Sequence, residues 1–383
     1  MLFKIGFFFN ENLSSLTSIF LLFLLFIYYI HYNCKINAIS VKIIILIILL
    51  QHITYYTRGF PSDSSYILWI VNLLSVLIFV SNFSCSNFFR YFSNIIYIIC
   101  IASLICVILE KVNLTLYRFF PILTNSTGHS VYFLGLTEVW TTYSIDSGAN
   151  RQQGIFWEPG AFQTMIIFAS IIDLYDKKMH DHIFKRLIVY VLTIFFTYST
   201  TGYLCMIMVI FLYLINKFNY SLLSVFLFSV ILLLVVDLIL TKIDGFLYFT
   251  IFGKIEMALY AFTDGESNIA SSRVESIIYP FKAFLDSPIV GLGNEGNDEL
   301  VNRLGHSMFT CTFVNYFAKF GLFCGILHMI GFLKLLNGSN KTIIEISFLI
   351  LLMLLTTISE NFAFNPLLEV FMIYGYHSNS IKI

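Results

Sequence analysis

The stretch Arg151-Gln-Gln-Gly154-Ile-Phe-Trp157-Glu158-Pro159-Gly160 sets a guanidinium and a carboxylate close together where polar sequence gives way to an apolar run. A planar guanidinium can hold phosphate oxygens two at a time, whereas lysine offers only a point charge. Pro159 lets a helix begin without losing a hydrogen bond, which puts Glu158 at a helix start. A carboxylate that near to hydrocarbon is costly unless paired or used, so a functional role outweighs that of a helix-start carboxylate favoured by the dipole. Arg273, in SSRVES, and His306, in GHSMF, add a second guanidinium and an imidazole that can accept a proton near neutral pH or, protonated, hold a phosphate. Alone, Arg273 reads as a surface salt bridge and His306 as an interfacial residue. In company, the four describe an anion site with a candidate base.

A second pattern competes for attention. Gly291, Gly293 and Gly296 in SPIVGLGNEG spell G-x-G-x-x-G, which in a βαβ unit would cradle a dinucleotide phosphate. Its meaning depends on the elements around it.

Those elements follow from composition. Of 383 residues, 58% are hydrophobic and 11% charged, with a mean hydropathy of +0.84; soluble domains carry about 25% charged residues. A span takes about 20 apolar residues to cross about 30 Å of hydrocarbon. Runs of that kind recur near 14–32, 38–56, 66–83, 93–110, 155–175, 187–199, 203–216, 220–241, 312–335, 343–358 and 366–377. The fold class expected is an all-α polytopic membrane protein of about 11 helices, with 10 to 12 as the range, because several runs are short. Gly202, beside Thr200 and Thr201, reads as a tight turn between two spans. Lys4 is followed by an apolar run and no small-residue cleavage site, so the first span is expected to be retained.

Zero formal net charge argues against a nucleic-acid partner or a polybasic membrane patch. The seven cysteines are odd in number and form no C-x-x-C, which argues against a disulfide framework or a zinc site. His180 and His182 point apart on any helix, and no metal is assigned to them. Asp237 and Glu369 lie in or near apolar runs as candidate proton-relay groups, without the series of buried charges expected of a transport path.

Basic residues in short connections set orientation. Placing Lys35, Arg90, Lys177, Lys178, Lys185, Arg186, Lys217, Lys334, Lys341 and Lys382 in the cytoplasm leaves only Lys4 and Arg58 in short outward pieces. Two long segments then face outward. The chain divides into N-terminal spans (1–110), a first outer loop (111–154), central spans (155–241), a second outer loop (242–311) and C-terminal spans (312–383). The second loop holds five basic and nine acidic residues, so it is no generic anion trap. The glycine motif falls in it, without a βαβ unit and away from cytoplasmic nucleotides. A backbone turn allowing close approach of chain or ligand is the reading that remains, beside a plain surface turn.

The order of these features resembles the O-antigen polymerase (Wzy-type) and O-antigen ligase superfamily. An outer loop ends in Arg-x-x-Gly-x-x-x-Glu-Pro; two spans are joined by Ser199-Thr-Thr-Gly202; a large outer loop carries an arginine and Phe284-Leu-Asp-Ser-Pro288-Ile-Val-Gly291-Leu-Gly293. Gly305-His306-Ser307 and a helix broken at Lys319-Phe-Gly321 follow. The likeness covers roughly 151–335. The sequence departs from the pattern where Thr200 and Thr201 replace a frequent Ser-Arg and where Gly160 replaces a frequent Asn.

The resemblance implies a GT-C-like membrane fold and a metal-independent glycosyltransferase without cofactor, in the bacterial inner membrane and active on its periplasmic face. Its substrates would be undecaprenyl-pyrophosphate-linked oligosaccharides, with membrane lipid and a chain-length regulator protein as partners. Arg151 and Arg273 would bind pyrophosphate, and His306 or Glu158 would act as base. A ligase passing finished glycan to lipid A core shares these motifs, and a polysaccharide flippase or other transporter is the non-enzyme alternative.

Overall fold

The computed structural model describes residues 14–32, 35–59, 63–111, 122–124, 130–132, 138–139, 151–156, 158–176, 182–218, 271–303, 309–336, 341–358, 360–363 and 365–377. The helices are α1 (Ser14–His31), α2 (Ala38–Arg58), α3 (Asp63–Asn82), α4 (Cys85–Lys111), α5 (Pro159–Tyr175), α6 (Ile183–Thr197) and α7 (Thr200–Phe218). After them come α8 (Ser271–Asp286), α9 (Gly293–Arg303), α10 (Thr312–Leu336), α11 (Ile343–Ile358) and α12 (Pro366–Tyr376). Three short strands, β1 (Ile122–Thr124), β2 (Ser130–Tyr132) and β3 (Glu138–Val139), form a small antiparallel sheet in the first long loop.

Among the described residues, four helices are long and apolar enough to cross a membrane: α2, Cys85–Leu109 of α4, Thr200–Lys217 of α7, and α10. Leu16–His31, Tyr66–Asn82, Pro159–Tyr175 and Glu345–Ile358 are shorter and apolar. Ile45, Leu49, Ile98 and Ile105 stand exposed on α2 and α4, as lipid-facing side chains do and as a water-soluble surface would not tolerate in bulk. The chain is a membrane-embedded helical protein. At its centre lies α5, buried on almost every side between α4, α6 and α7; a helix apolar all round belongs in an interior. The second centre is α12, equally buried and packed on α10 and α3.

Helix ends are set by local chemistry. Asn37 Oδ1 accepts from the Ile39 and Ser40 amides at 2.8 and 3.2 Å and starts α2, which Gly59, at φ 103°, ends by donating to Tyr55 O. Pro159 and Pro366 open α5 and α12 at the position where the missing N–H costs nothing. The turn between α6 and α7 departs from expectation. Tyr198, at φ 48°, makes the turn with Ser199, and Gly202 lies inside α7. Gly202 instead packs against α5, where a Cβ would run into the Gln163 amide as it is placed. Expected spans begin elsewhere too: α4 starts at Cys85 rather than 93, and α5 at Pro159 rather than 155. The span expected at 220–241 lies outside the described residues, and the second long loop contains α8 and α9.

The antiparallel path gathers polar groups at the two ends of the bundle. At one end, where α4 and α6 start and α5 finishes, Asp173 accepts from Arg186 Nε at 2.6 Å, from Tyr190 OH at 2.8 Å and from the Ser93 hydroxyl. Arg186 also donates to Asn94 Oδ1 at 2.8 Å and Ser93 Oγ at 2.6 Å and lies 4.5 Å from the Tyr97 ring centroid. Arg90 pairs with Asp176 nearby, at 3.3 Å. The opposite end carries Arg151.

Candidate functional site

At the Arg151 end the chain enters the bundle as an irregular segment lying along the last turn of α6. Arg151 Nε donates to Thr197 O at 3.0 Å and the Gln152 amide to Phe196 O at 2.9 Å, so the segment occupies carbonyls that a helix C-terminus leaves unpaired. Arg151 is half-buried. Gln152 Oε1 accepts from Ser103 Oγ of α4 at 2.7 Å. Gly154, at φ 60°, turns the chain where a Cβ would press on Phe162 and Ile99. Glu158 then takes the N-cap position of α5, exposed, with no side-chain bond to the cap.

A second carboxylate lies within a turn of it. Glu360, between α11 and α12, is 2% exposed, and its side chain fills the space a Cβ at Gly160 would need. Thr312 fixes this residue's backbone by donating to Glu360 O at 2.6 Å while accepting from the Phe362 amide at 3.0 Å. Gly160 thus makes room for a carboxylate arriving from elsewhere in the chain. One turn further, Thr164 Oγ1 bonds to Gly160 O and Thr356 O at 3.0 and 3.3 Å. The start of α5, the end of α11 and the link before α12 form one polar cluster. At its margin, burial pushes the Cys311 thiol pKa up against the opposing pull of the Phe313 and Val314 amides.

The glycine-rich segment 287–293 lies against a break in α10. Phe320 and Gly321 leave helical geometry there, with Gly321 at φ 73° and ψ −174°. Leu292 N donates to Ala318 O at 2.8 Å and Leu322 N to Pro288 O at 2.7 Å, so the segment satisfies backbone groups opened by the break. Gly291 and Gly293, at φ 77° and 74°, make the turn. A Cβ at Gly291 would meet the Lys319 backbone, and one at Gly321 the Ile289 carbonyl. From α2, Arg58 donates to Gly291 O at 3.2 Å and Ser287 Oγ at 2.6 Å, and Thr54 to Val290 O at 2.7 Å. Here the close approach is of chain to chain.

Arg151 and Glu158 share one end of the bundle. Arg273 lies in the first turn of α8, with its side chain outside the described residues, and His306 lies outside them altogether. Sequence reasoning passed over Gln152, Gln153 and Glu360; the run Gln-Gln inside an apolar approach was the available signal for the first two. Glu369, a candidate proton-relay group from the sequence, bonds His328 Nε2 at 3.1 and 3.2 Å and Tyr316 OH at 3.1 Å, with His328 Nδ1 on Cys324 O at 2.8 Å.

A cavity of about 60 Å³ between α4, α5, α10, α11 and α12 is walled by Phe89, Phe168, Phe332 and Phe371 and reaches Lys341. Burial lowers the Lys341 pKa to about 8, against the opposing attraction of Glu345.

Comparison with protein families, with curated proteins and with solved structures finds no match to this chain.

Proposed function

We propose that the chain is a surface-polysaccharide polymerase. It transfers a growing glycan from undecaprenyl pyrophosphate to the non-reducing end of a lipid-linked repeat unit, on the periplasmic face of a bacterial inner membrane. The observation that carries this reading is the joint placement of Arg151, on the last turn of α6, and Glu158, leading α5, at one end of a membrane-embedded bundle. The segregation of Arg90, Lys185 and Arg186 to the opposite end supports assigning the Arg151 end to the outer face.

No sugar nucleotide is present outside the cytoplasm, so the donor bond must already be activated, as it is in a lipid pyrophosphate. The acceptor hydroxyl oxygen bonds to the donor anomeric carbon. The bond from that carbon to the pyrophosphate oxygen breaks, and undecaprenyl pyrophosphate leaves with the electron pair. Arg151 and Arg273 stabilise the charge gained by the leaving group, and Glu158 or His306 takes the hydroxyl proton. The protein's contribution is positioning, charge stabilisation and removal of one proton.

The test replaces Arg151, Arg273, Glu158 and His306 singly with Ala, and Arg151 also with Lys, and resolves surface polysaccharide on a gel. The expected result is collapse of the ladder to single attached repeat units at normal protein levels, with Arg151→Lys as defective as Arg151→Ala because the bidentate grip is lost. Full ladders from all variants refute the proposal, and loss of every attached unit indicates a ligase. Transport is favoured by one observation, the burial of the pairs His328–Glu369 and Asp173–Arg186. A transporter null strain would accumulate lipid-linked units on the cytoplasmic face, which a polymerase null strain does not.

A further inference from the structure

The Arg151 end contains buried polar groups that the protein itself leaves unsatisfied. Gln153 is wholly buried, and neither its Oε1 nor its Nε2 has a hydrogen-bond partner. Next to it Gln152, 1% exposed, has its Oε1 bonded by Ser103 but its Nε2 unpartnered. Buried amides are almost always bonded, and an orphaned pair in a well-fixed segment calls for a missing partner. This segment is well fixed. Its ends are tied to Thr197 O and Phe196 O, and the turn at Gly154 is wedged against Phe162 and Ile99.

The vacant valences describe the partner. Gln153 offers a donor and an acceptor together, and Gln152 a further donor. A phosphate accepts and cannot donate, so it would leave Gln153 Oε1 unsatisfied. A sugar hydroxyl does both. The guanidinium of the adjoining Arg151 suits the phosphate half of a glycosyl pyrophosphate, and the two amides suit the sugar half.

We infer that Gln153, assisted by Gln152, is the specificity-determining element that reads a hydroxyl of the sugar next to the pyrophosphate held at Arg151. This rests on the glycosyl-transfer reading above. A site that leaves its own amides unpaired rejects an analogue lacking the hydroxyl far more strongly than an apolar pocket rejects a misfit. The site also carries a stability penalty in the absence of substrate. Those two consequences have opposite signs, which separates recognition from a structural role.

The test uses the full chain in nanodiscs with Gln153→Leu, which keeps side-chain volume and removes both polar atoms, and Gln153→Met as a second, unbranched replacement should the leucine variant fail to accumulate. Two probes are compared: undecaprenyl pyrophosphate without sugar, and the host's lipid-linked repeat unit. The expected result is an unchanged or raised melting temperature, equal binding of the sugar-free carrier to wild type and variant, and at least ten-fold weaker binding of the repeat unit by the variant. A ladder shortened in cells would accompany it. Equal binding of the repeat unit by wild type and variant overturns the inference. A variant that loses stability and both ligands together overturns it in favour of a structural role. Failure of wild type to bind either lipid overturns the glycosyl-transfer reading, and the inference with it.

Discussion

The two ends of the bundle treat buried polar groups in opposite ways. Around Arg186 the contacts close on one another: Asp173 receives three donors, and the guanidinium is shared among Asp173, Asn94, Ser93 and Tyr190. Around Arg151 the neighbouring amides of Gln152 and Gln153 keep vacant valences, and Glu158 caps its helix without bonding to it. A saturated network rigidifies and has nothing left to offer a ligand. An unsaturated one costs stability and persists where a ligand completes it. Under the proposed function, the difference corresponds to architecture at one end and chemistry at the other.

The largest effect expected from breaking this contrast is at the saturated end. Arg186→Ala leaves Asp173 buried without its cation and should cost about 3–5 kcal/mol, measured by denaturation in detergent; replacing both partners with apolar residues should recover most of that loss. A cost below about 1 kcal/mol, the range of an exposed pair, would show that water reaches the network and that the two ends do not differ.

Next in size is the break in α10. Gly321→Ala forces a side chain into a conformation open essentially to glycine and against the Ile289 carbonyl, with an expected loss of about 1–3 kcal/mol. Arg151→Ala is the sharper comparison. It should cost less than Arg186→Ala, because the guanidinium is only half-buried, while abolishing chain extension. Matched losses of stability and activity would make Arg151 another Arg186.

How much of this was legible beforehand follows from what each feature depends on. Apolar runs disclosed the helices because burial and lipid exposure are both written in composition, and α11 at Ile343–Ile358 carries the bounds its run suggested. Gly202 was misread because a glycine between threonines signals a turn locally, whereas its use is to admit Gln163 from another helix. Glu360 was invisible for the same reason, since its meaning lies in the missing side chain of Gly160. The break at Phe320 and Gly321 was readable from Lys-Phe-Gly. That residues 287–293 fill it depends on backbone bonds between distant segments, which no local pattern records.

The smallest expected effect lies near the Arg186 end. Burial lowers the Lys341 pKa to about 8 from its ordinary value, so the folded chain gives up a proton that the unfolded chain keeps until higher pH. The unfolded state therefore binds more protons between about pH 8 and the usual lysine pKa of about 10.4, and stability rises with pH across that window. Below about pH 8 the contribution stays unfavourable and flat. Reductive methylation of Lys341 should be half-maximal near pH 8; a midpoint at the ordinary lysine value would show the amine to be solvated.

The most direct test of the central claim, that the Arg151 end faces outward and does the chemistry, is sidedness of labelling. In a chain with its native cysteines replaced, Glu158→Cys and Lys185→Cys place thiols at exposed positions of opposite ends. With a membrane-impermeant maleimide on spheroplasts, position 158 should label at once and position 185 only after the membrane is opened. Labelling of position 185 from outside, with position 158 protected, would put Arg151 in the cytoplasm and contradict the account.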